Sequence, residues 1–172
     1  MNPEINSLAS DLAAKSMDLL HSSKSFVPGV TSIPVTGKFF GRQEIENAIL
    51  ASAEFWLTSG HYAEEFESRF ARTVGMRHAF MVNSGSSANL LALSSLTSNK
   101  HGGRKLLPGD EVVTVAAGFP TTVTPILQNN LVPVYVDVEL STYVAKEDEL
   151  EAAISSKTKA IMMAHTLSLI HI

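Results

Sequence analysis

The chain has 172 residues, of which 45% are hydrophobic and 17% charged, with a formal net charge of −4 and no cysteine. This length and composition predict a globular protein with a core of its own. The negative charge without any basic block excludes nucleic-acid binding through phosphate neutralisation, and the lack of cysteine excludes disulfides and thiolate metal sites in this stretch.

The first forty residues predict a helix followed by an extended arm. Apolar residues at helical spacing indicate a helix over residues 4–21, and the Pro, Gly, Ser and Thr content of residues 22–40 indicates the arm. The polar N-terminus has no apolar signal core, and no apolar run in the chain is long enough to cross a bilayer. We therefore expect a cytoplasmic protein with no membrane partner and no nucleic-acid partner.

Two further helices are predicted before the middle of the chain. The first covers residues 42–57 and is ended by the Thr-Ser-Gly sequence at residues 58–60. The second contains Phe66 and Phe70 at helical spacing, with charged residues on its other face. Gly75 is the candidate C-cap of that second helix.

Beyond Gly75 the sequence alternates between short apolar runs and helical segments. The predicted strands are residues 78–82, 111–116, 132–138 and 160–165, and the predicted helices are residues 86–96, 119–128 and 146–155. The strands are continuously apolar and the links between elements are short. This pattern predicts an α/β fold, with a mainly parallel sheet that has helices on both faces and is preceded by N-terminal helices.

A candidate anion site lies at residues 83–89, between a predicted strand and a predicted helix. Gly85 allows the backbone to approach a ligand closely, and the first N–H groups of a helix have no partner within the helix. With the helix dipole and the hydroxyls of Ser86 and Ser87, this loop suits a phosphate. The loop matches neither the Walker nor the dinucleotide-binding pattern. The alternative is a serine N-cap with nothing bound.

A second candidate element is the Ala-Gly-Phe-Pro-Thr-Thr sequence at residues 117–122. It again joins the end of a predicted strand to the start of a predicted helix. Phe119 could stack on a planar ring held by the first loop. The alternative is a core phenylalanine that lies beneath the N-terminus of the helix.

These segments carry a family resemblance. Residues 83–96, 108–122, 133–138 and 157–167, in this order, resemble the sugar-nucleotide branch of the fold-type-I pyridoxal-phosphate enzymes. Within that branch the chain is most similar to the CDP-4-keto-6-deoxyglucose 3-dehydrases of lipopolysaccharide deoxysugar biosynthesis. The resemblance covers about residues 34–167. It implies that residues 41–167 are part of the large domain of such an enzyme, its first half, and that residues 1–40 are an N-terminal helix and arm.

The resemblance also implies which residues bind a cofactor, pyridoxal 5'-phosphate or pyridoxamine 5'-phosphate. Gly85 and Ser86, together with Ser87, would hold the cofactor phosphate, and Phe119 would stack on the pyridine ring. Residues 58–60 would lie near the entrance for the sugar nucleotide. Asp137 is expected to be structural.

The resemblance places the catalytic residues beyond this chain, so we expect none within it. In the family an Asp pairs with the ring nitrogen, and a Lys in the aminotransferases or a His in the dehydrase occupies the Schiff-base position. His165 is expected to support the structure, and the six histidines have no metal-ligand spacing. Some members of the family carry an iron–sulfur cluster on cysteines outside this segment. From Ser168 the sequence departs from the family pattern, so we expect an N-terminal fragment with an aberrant or truncated tail at residues 168–172.

The implied activity of the full-length enzyme is removal of the C3 hydroxyl from a CDP-4-keto-6-deoxyhexose in O-antigen biosynthesis. One alternative is a pyridoxal-phosphate-dependent sugar-nucleotide aminotransferase, and another is an inactive truncated fragment. The resemblance further implies a homodimer and a reductase partner.

Overall fold

The computed structural model describes residues 2–21, 25–34 and 36–164. His165 and the predicted tail at residues 168–172 lie outside this range. The chain divides into two compact units, Met1–Met81 and Val82–Ile172, which are described separately. The division expected near residue 40 stays a prediction. Within the described ranges, no helix is both long enough and apolar enough to span a bilayer.

In its described residues the first unit has three helices, α1 (Pro3–Leu20), α2 (Arg42–Ala53) and α3 (His61–Thr73). The side chain of Asn2 caps α1 by accepting a hydrogen bond from the N–H of Glu4 at 2.8 Å. Helix α1 packs against α2. The hydroxyl of Ser10 joins the two helices, since it donates to Glu46 at 3.0 Å and accepts from Arg42 at 2.6 Å.

Helix α2 ends at Ala53, four residues before its predicted end at residue 57. Phe55 has a φ of 54°, which lies in the left-handed region and cannot continue a right-handed helix. The indole N–H of Trp56 then donates to the carbonyl of Ser59 at 2.8 Å and closes the turn. Trp56, which the apolar spacing had placed in the helix, therefore lies in the turn after α2.

Helix α3 ends as predicted, with Gly75 beyond its C-cap. Gly75 has a φ of 69°, and its N–H donates to the carbonyl of Arg72 at 3.2 Å. The N–H of Met76 donates to the carbonyl of Ala71 at 2.8 Å. These two bonds form a Schellman motif, in which a left-handed glycine satisfies the last carbonyls of the helix.

The prediction of a strand at residues 78–82 is wrong for the described chain. A strand exists only when another segment pairs with its backbone, and none does so within the part of the chain that the structure describes. The N–H of Met81 is bound by the Glu67 carboxylate, at 2.7 Å, and not by a neighbouring strand. The run has the apolar composition of a strand, but strand pairing also needs a partner segment from elsewhere in the chain.

The second unit has the predicted α/β alternation. Its helices are α4 (Gly85–Ser95), α5 (Pro120–Gln128) and α6 (Glu147–Ala152), its strands are β1 (Glu111–Val115), β2 (Val132–Val136) and β3 (Thr158–Ile161), and a short 3-10 helix covers Asn99–Arg104. Strand β2 is shorter than predicted, since Val138 forms an isolated antiparallel bridge with Ala145. The 3-10 helix has no counterpart among the predicted elements.

The three strands form a parallel sheet in the order β2-β1-β3. Val113, in the central strand, is opposite Val134 on one side and Ile161 on the other. The connection from β1 to β2 moves in one direction across the sheet, and the connection from β2 to β3 moves back past β1. Right-handed crossovers in opposite directions require their helices to lie on opposite faces of the sheet.

Hydrophobic packing confirms that helices cover both faces. On one face Val112 packs with Leu93 of α4 and Ile126 of α5. On the other face Val113 and Val115 pack with β2, and the half-buried Leu150 and Ala153 of the α6 region pack against them. Alternate residues of β1 thus belong to two separate cores, as expected for a strand that is buried on both sides.

Candidate functional site

Ser84 caps helix α4, the helix that carries the predicted anion site. The hydroxyl oxygen of Ser84 accepts a hydrogen bond from the N–H of Ser87 at 3.2 Å, and the two serine hydroxyls are also 3.2 Å apart. Helix α4 therefore begins at Gly85, one residue before its predicted start. The serine N-cap that the sequence offered as the alternative is therefore present, and Ser84 is the serine that forms it.

The N–H groups of Gly85 and Ser86 stay available at this helix end. Throughout the described ranges, no acceptor is hydrogen-bonded to either group. Both residues are exposed, whereas Ser87 is half-buried and its N–H is bound to the cap. The first turn contains no acidic side chain, so the positive end of the helix dipole is not neutralised there. The geometry therefore suits an anion in front of Gly85 and Ser86.

Gly85 is not required by the fold of the described chain. Its φ is not in the left-handed region, and a Cβ built on it has no neighbour within 4 Å. Alanine would favour a helix more strongly at this position. What the glycine provides is open space at the start of α4, where a ligand can reach the backbone.

Phe119 is the N-cap residue of α5, and its side chain extends into solvent. Its backbone is extended, with φ −74° and ψ 138°, and Pro120 at the first helical position has no N–H that would need a partner. The phenylalanine is 72% exposed. The alternative of a core phenylalanine is therefore wrong for this unit, and the ring presents an open face at the helix start.

Helices α4 and α5 run side by side in the same direction. Near their starts, the side-chain amide of Asn89 donates to the carbonyl of Thr121 at 3.3 Å. Near their ends, the amide of Asn129 donates to the hydroxyl of Ser94 at 3.0 Å. The two helix N-termini thus lie at one end of the unit. Since β1 leads directly into α5, this end is the carboxyl end of the parallel strands, where α/β sheets bind ligands.

A cavity of about 170 Å³ lies between these helix starts. Its lining consists mostly of hydroxyl and amide side chains together with two apolar residues, namely Ser86, Ser87, Leu90, Thr121, Thr124, Pro125 and Gln128. Thr121 lies within the second candidate element, at residues 117–122, whereas Thr124 and Gln128 were not predicted to line the site. The spacing of these three residues places them on one face of α5, but only the packing of α5 on α4 brings them to the two serines.

Asp137 has the structural surroundings that were expected for it. Its carboxylate accepts a hydrogen bond from the N–H of Val138 at 2.8 Å and lies 3.8 Å from the ammonium of Lys146. Its own N–H donates to Glu149 at 2.8 Å. Lys146 also donates to Glu149, and this hydrogen bond is the main reason that the pKa of Lys146 is raised. These contacts close the loop between β2 and α6.

Residues 58–60 belong to the first unit, next to a cavity of about 460 Å³. A Cβ on Gly60 would lie 2.7 Å from Cδ1 of Trp56, so the indole requires glycine there. In the same cavity the Glu54 carboxylate is 2.8 Å from Nε2 of His61 and 3.5 Å from the hydroxyl of Tyr62. Partial burial, and then the charge and hydrogen bond of Glu54, raise the pKa of Tyr62.

No group of three His, Cys, Asp or Glu side chains in the described residues is arranged to hold a metal ion.

The sequence profile of the DegT/DnrJ/EryC1/StrS aminotransferase family matches residues 40–169. The chain is 49% identical over 158 residues to the lipopolysaccharide biosynthesis protein RfbH of Salmonella typhimurium, a match that covers 92% of this chain and 36% of the relative. It is 54% identical over 145 residues to the dTDP-4-dehydro-2,6-dideoxy-D-glucose 3-dehydratase of Saccharopolyspora spinosa, which covers 84% of this chain and 31% of that protein. The chain thus spans about a third of the length of these relatives.

Solved structures of a sugar 3-dehydratase and of a candidate sugar aminotransferase also match this chain. The structure of E. coli GDP-4-keto-6-deoxy-D-mannose-3-dehydratase with bound hydrated PLP matches with a TM-score of 0.69 and 32% identity, over 76% of this chain and 33% of the other. The PLP form of Spr1654 from Streptococcus pneumoniae, a candidate sugar aminotransferase, matches with a TM-score of 0.65 and 28% identity, over 76% of this chain and 31% of the other. Both structures thus share their fold with about three quarters of this chain.

Proposed function

Because the chain belongs to the DegT/DnrJ/EryC1/StrS aminotransferase family, we propose that its second unit binds pyridoxal 5'-phosphate or pyridoxamine 5'-phosphate. The observation that carries this proposal is the parallel arrangement of α4 and α5. It brings two free N–H groups, at Gly85 and Ser86, to the same end of the unit as the exposed ring of Phe119. An anion-binding helix end beside an aromatic ring suits a ligand that consists of a phosphate and a planar ring.

In this proposal each residue has a separate part in holding the cofactor. The N–H groups of Gly85 and Ser86 donate to the phosphate oxygens, and the hydroxyls of Ser86 and Ser87 add donors at the edge of the cavity. Phe119 stacks on the pyridine ring and fixes its plane. When bound, the cofactor supplies an electron sink for chemistry next to a sugar ketone, and the protein supplies binding and orientation.

The proposed reaction of the whole enzyme is loss of the C3 hydroxyl from a nucleotide-linked 4-keto-6-deoxyhexose, with CDP as the nucleotide, in lipopolysaccharide O-antigen biosynthesis. Two observations support it. The sequence resemblance is to a 3-dehydrase, and the relatives include a 3-dehydratase at 54% identity and a lipopolysaccharide biosynthesis protein at 49% identity. We further propose a cytoplasmic homodimer that works with a reductase, with residues 58–60 near the entrance for the sugar nucleotide.

A sugar aminotransferase is the second candidate, supported by the structural match to Spr1654. The residue that would decide between the two, a Lys or a His at the Schiff-base position, is expected outside this chain. An inert fragment is the non-enzymatic candidate. Binding of the cofactor to the chain separates the inert fragment from both enzymes.

The test is equilibrium dialysis of the purified chain with pyridoxamine 5'-phosphate, with inorganic phosphate as a competitor. We expect saturable binding that phosphate displaces. Ser86→Ala should weaken it about tenfold, since a hydrogen bond to a charged group contributes about 1.5 kcal/mol or more. Phe119→Ala should weaken it by a similar factor through lost stacking.

Two control variants complete this test. Ser95→Ala lies at the far end of α4, and Phe39→Ala removes an exposed ring of the first unit. Neither should change the affinity. Absence of any binding by the wild-type chain would favour the inert candidate.

A further inference from the structure

Pro125 deprives one carbonyl of helix α5 of its usual hydrogen bond. In an α-helix each carbonyl accepts from the N–H four residues further along the chain. For the carbonyl of Thr121 that residue is Pro125, which has no N–H. Pro125 is fully buried inside α5. The fold therefore needs another donor for Thr121, since an unpaired backbone carbonyl away from water is costly.

Asn89 of helix α4 supplies that donor. Its side-chain amide donates to the carbonyl of Thr121 at 3.3 Å in a partly buried position. A bond within α5 is thus replaced by a bond between α5 and α4. The proline and the asparagine are complementary, because the first frees the acceptor that the second uses.

The bond lies within about one helical turn of both predicted ligand groups. Asn89 follows Gly85 by four residues, which is roughly 6 Å along the helix axis, and Thr121 follows Phe119 by two. The other bond between these helices, from Asn129 to Ser94, lies at their far ends. Of the two, the bond of Asn89 is therefore the one close enough to control the spacing between the helix starts.

We propose that Asn89 is a positioning residue, which sets the distance between the phosphate-binding end of α4 and the ring platform of Phe119. This inference rests on the function proposed above. A ligand that carries phosphate and ring in one rigid unit depends on that distance, whereas free phosphate contacts α4 alone. Loss of the Asn89 amide should therefore weaken the binding of the two ligands to different extents.

The experiment measures the affinities of pyridoxamine 5'-phosphate and inorganic phosphate for the wild-type chain and four variants, together with unfolding by urea. Asn89→Ala should weaken the binding of pyridoxamine 5'-phosphate about tenfold and the binding of phosphate less than about twofold. Asn129→Ala is the matched control, since it removes the amide bond at the far ends of the same helices. It should lower stability and leave the ratio of the two affinities unchanged.

The other two variants, Pro125→Ala alone and Asn89→Ala with Pro125→Ala, separate positioning from simple support of the fold. Alanine at position 125 restores an N–H, so Thr121 regains a partner within α5, and Pro125→Ala alone measures the effect of removing a buried ring that lines the cavity. We expect Asn89→Ala to cost less stability in the Pro125→Ala background than in the wild-type chain, but to change the ratio of affinities in both backgrounds, because the two helices remain unjoined. If Asn89→Ala alone does not fold, the double variant still provides that ratio.

Parallel weakening of both ligands by Asn89→Ala, which leaves the ratio of the two affinities unchanged, would overturn the inference. So would a ratio in the double variant that equals the ratio in Pro125→Ala. Each of these outcomes leaves the proposed function intact, because the wild-type chain still binds pyridoxamine 5'-phosphate. Failure of the wild-type chain to bind that ligand would instead remove the proposed function, and with it this inference.

Discussion

The indole of Trp56 lies directly over Gly60, so that a Cβ on the glycine would come within 2.7 Å of Cδ1. The same indole donates to the carbonyl of Ser59 at 2.8 Å. Trp56 thus both closes the turn before α3 and occupies the space that any other side chain at position 60 would need. The glycine is required for close approach, since its φ of −151° is accessible to any residue.

Gly60→Ala should displace the indole and lower the stability of the first unit by about 1 kcal/mol, the lower end of the cost of overpacking, because the Trp56 side chain is 67% exposed and can move. Trp56 is the only tryptophan of the chain, so its fluorescence emission reports on this turn alone. We expect the emission intensity to change with the substitution, because the displaced indole loses its hydrogen bond to the carbonyl of Ser59. Gly37→Ala, where a Cβ has no neighbour within 4 Å, is the matched control and should leave the emission unchanged. An unchanged emission in Gly60→Ala would contradict the packing described for Trp56.

Ser84→Ala should destabilise the second unit by about 1 kcal/mol, because it removes the cap that binds the N–H of Ser87. Urea unfolding measured by circular dichroism would give this value. Ser95→Ala is the control on the same helix, since the Ser95 hydroxyl bonds only to a carbonyl of its own turn. Equal stabilities for the two variants would show that the cap at Ser84 contributes nothing.

Thr114→Val should stabilise the second unit or leave it unchanged. Thr114 is fully buried in β1, and among the described residues its hydroxyl oxygen has no hydrogen-bond partner. Leaving a buried hydroxyl unpaired costs about 1–3 kcal/mol, and valine has the same shape and a high strand propensity. The change in the free energy of unfolding measures this. Val112→Thr is the control, since it buries a new hydroxyl on the same face of β1, and it should be clearly destabilising. A loss of stability in Thr114→Val as well would contradict the unpaired state of the Thr114 hydroxyl.

Tyr62 should ionise at a higher pH in the folded chain than in the unfolded chain. Partial burial is the main cause of the raised pKa, followed by the charge of Glu54 and its hydrogen bond. Since the folded pKa lies above the unfolded one, the associated stability is present below the unfolded pKa of the tyrosine. It is lost as the pH rises through the folded value.

The measurement for Tyr62 is the difference in tyrosinate absorbance between the wild-type chain and Tyr62→Phe across an alkaline titration. Glu54→Gln should lower the pKa of Tyr62 part of the way, because it removes the charge but leaves the burial. The same difference titration in concentrated urea provides the unfolded reference. Identical curves in the folded and unfolded chains would rule out the raised pKa.

Local signals were sufficient to predict most of the second unit. The continuously apolar runs predicted β1 and β2. Pro120 was correctly expected in the first turn of α5, although the helix begins at Pro120 and not at residue 119. The loop at Gly85 and its serine N-cap were both predicted from the glycine and serines, although the sequence did not indicate that Ser84 forms the cap. These features depend on residues that are close together in the chain, so sequence patterns record them directly.

Long-range contacts account for what could not be predicted. The strand expected at residues 78–82 depends on a pairing partner, which its own composition does not specify. The bond from Asn89 to Thr121 joins residues that are 32 positions apart and exists only because α5 packs beside α4. Pro125 could have indicated that the carbonyl of Thr121 lacks a partner, but not which side chain would reach it.

The division of the second unit into two cores affects how its sequence can diverge. Helices α4 and α5, which with the N-cap residue Phe119 carry the candidate cofactor site, rest on the face of β1 that contains Val112. Helix α6 lies on the opposite face, with Val113 and Val115 between it and the site. Substitutions in α6 can therefore accumulate with little effect on ligand geometry. Among family members we expect faster sequence change on the α6 side of the sheet. On the other side we expect pairs of positions that change together, such as 89 and 125.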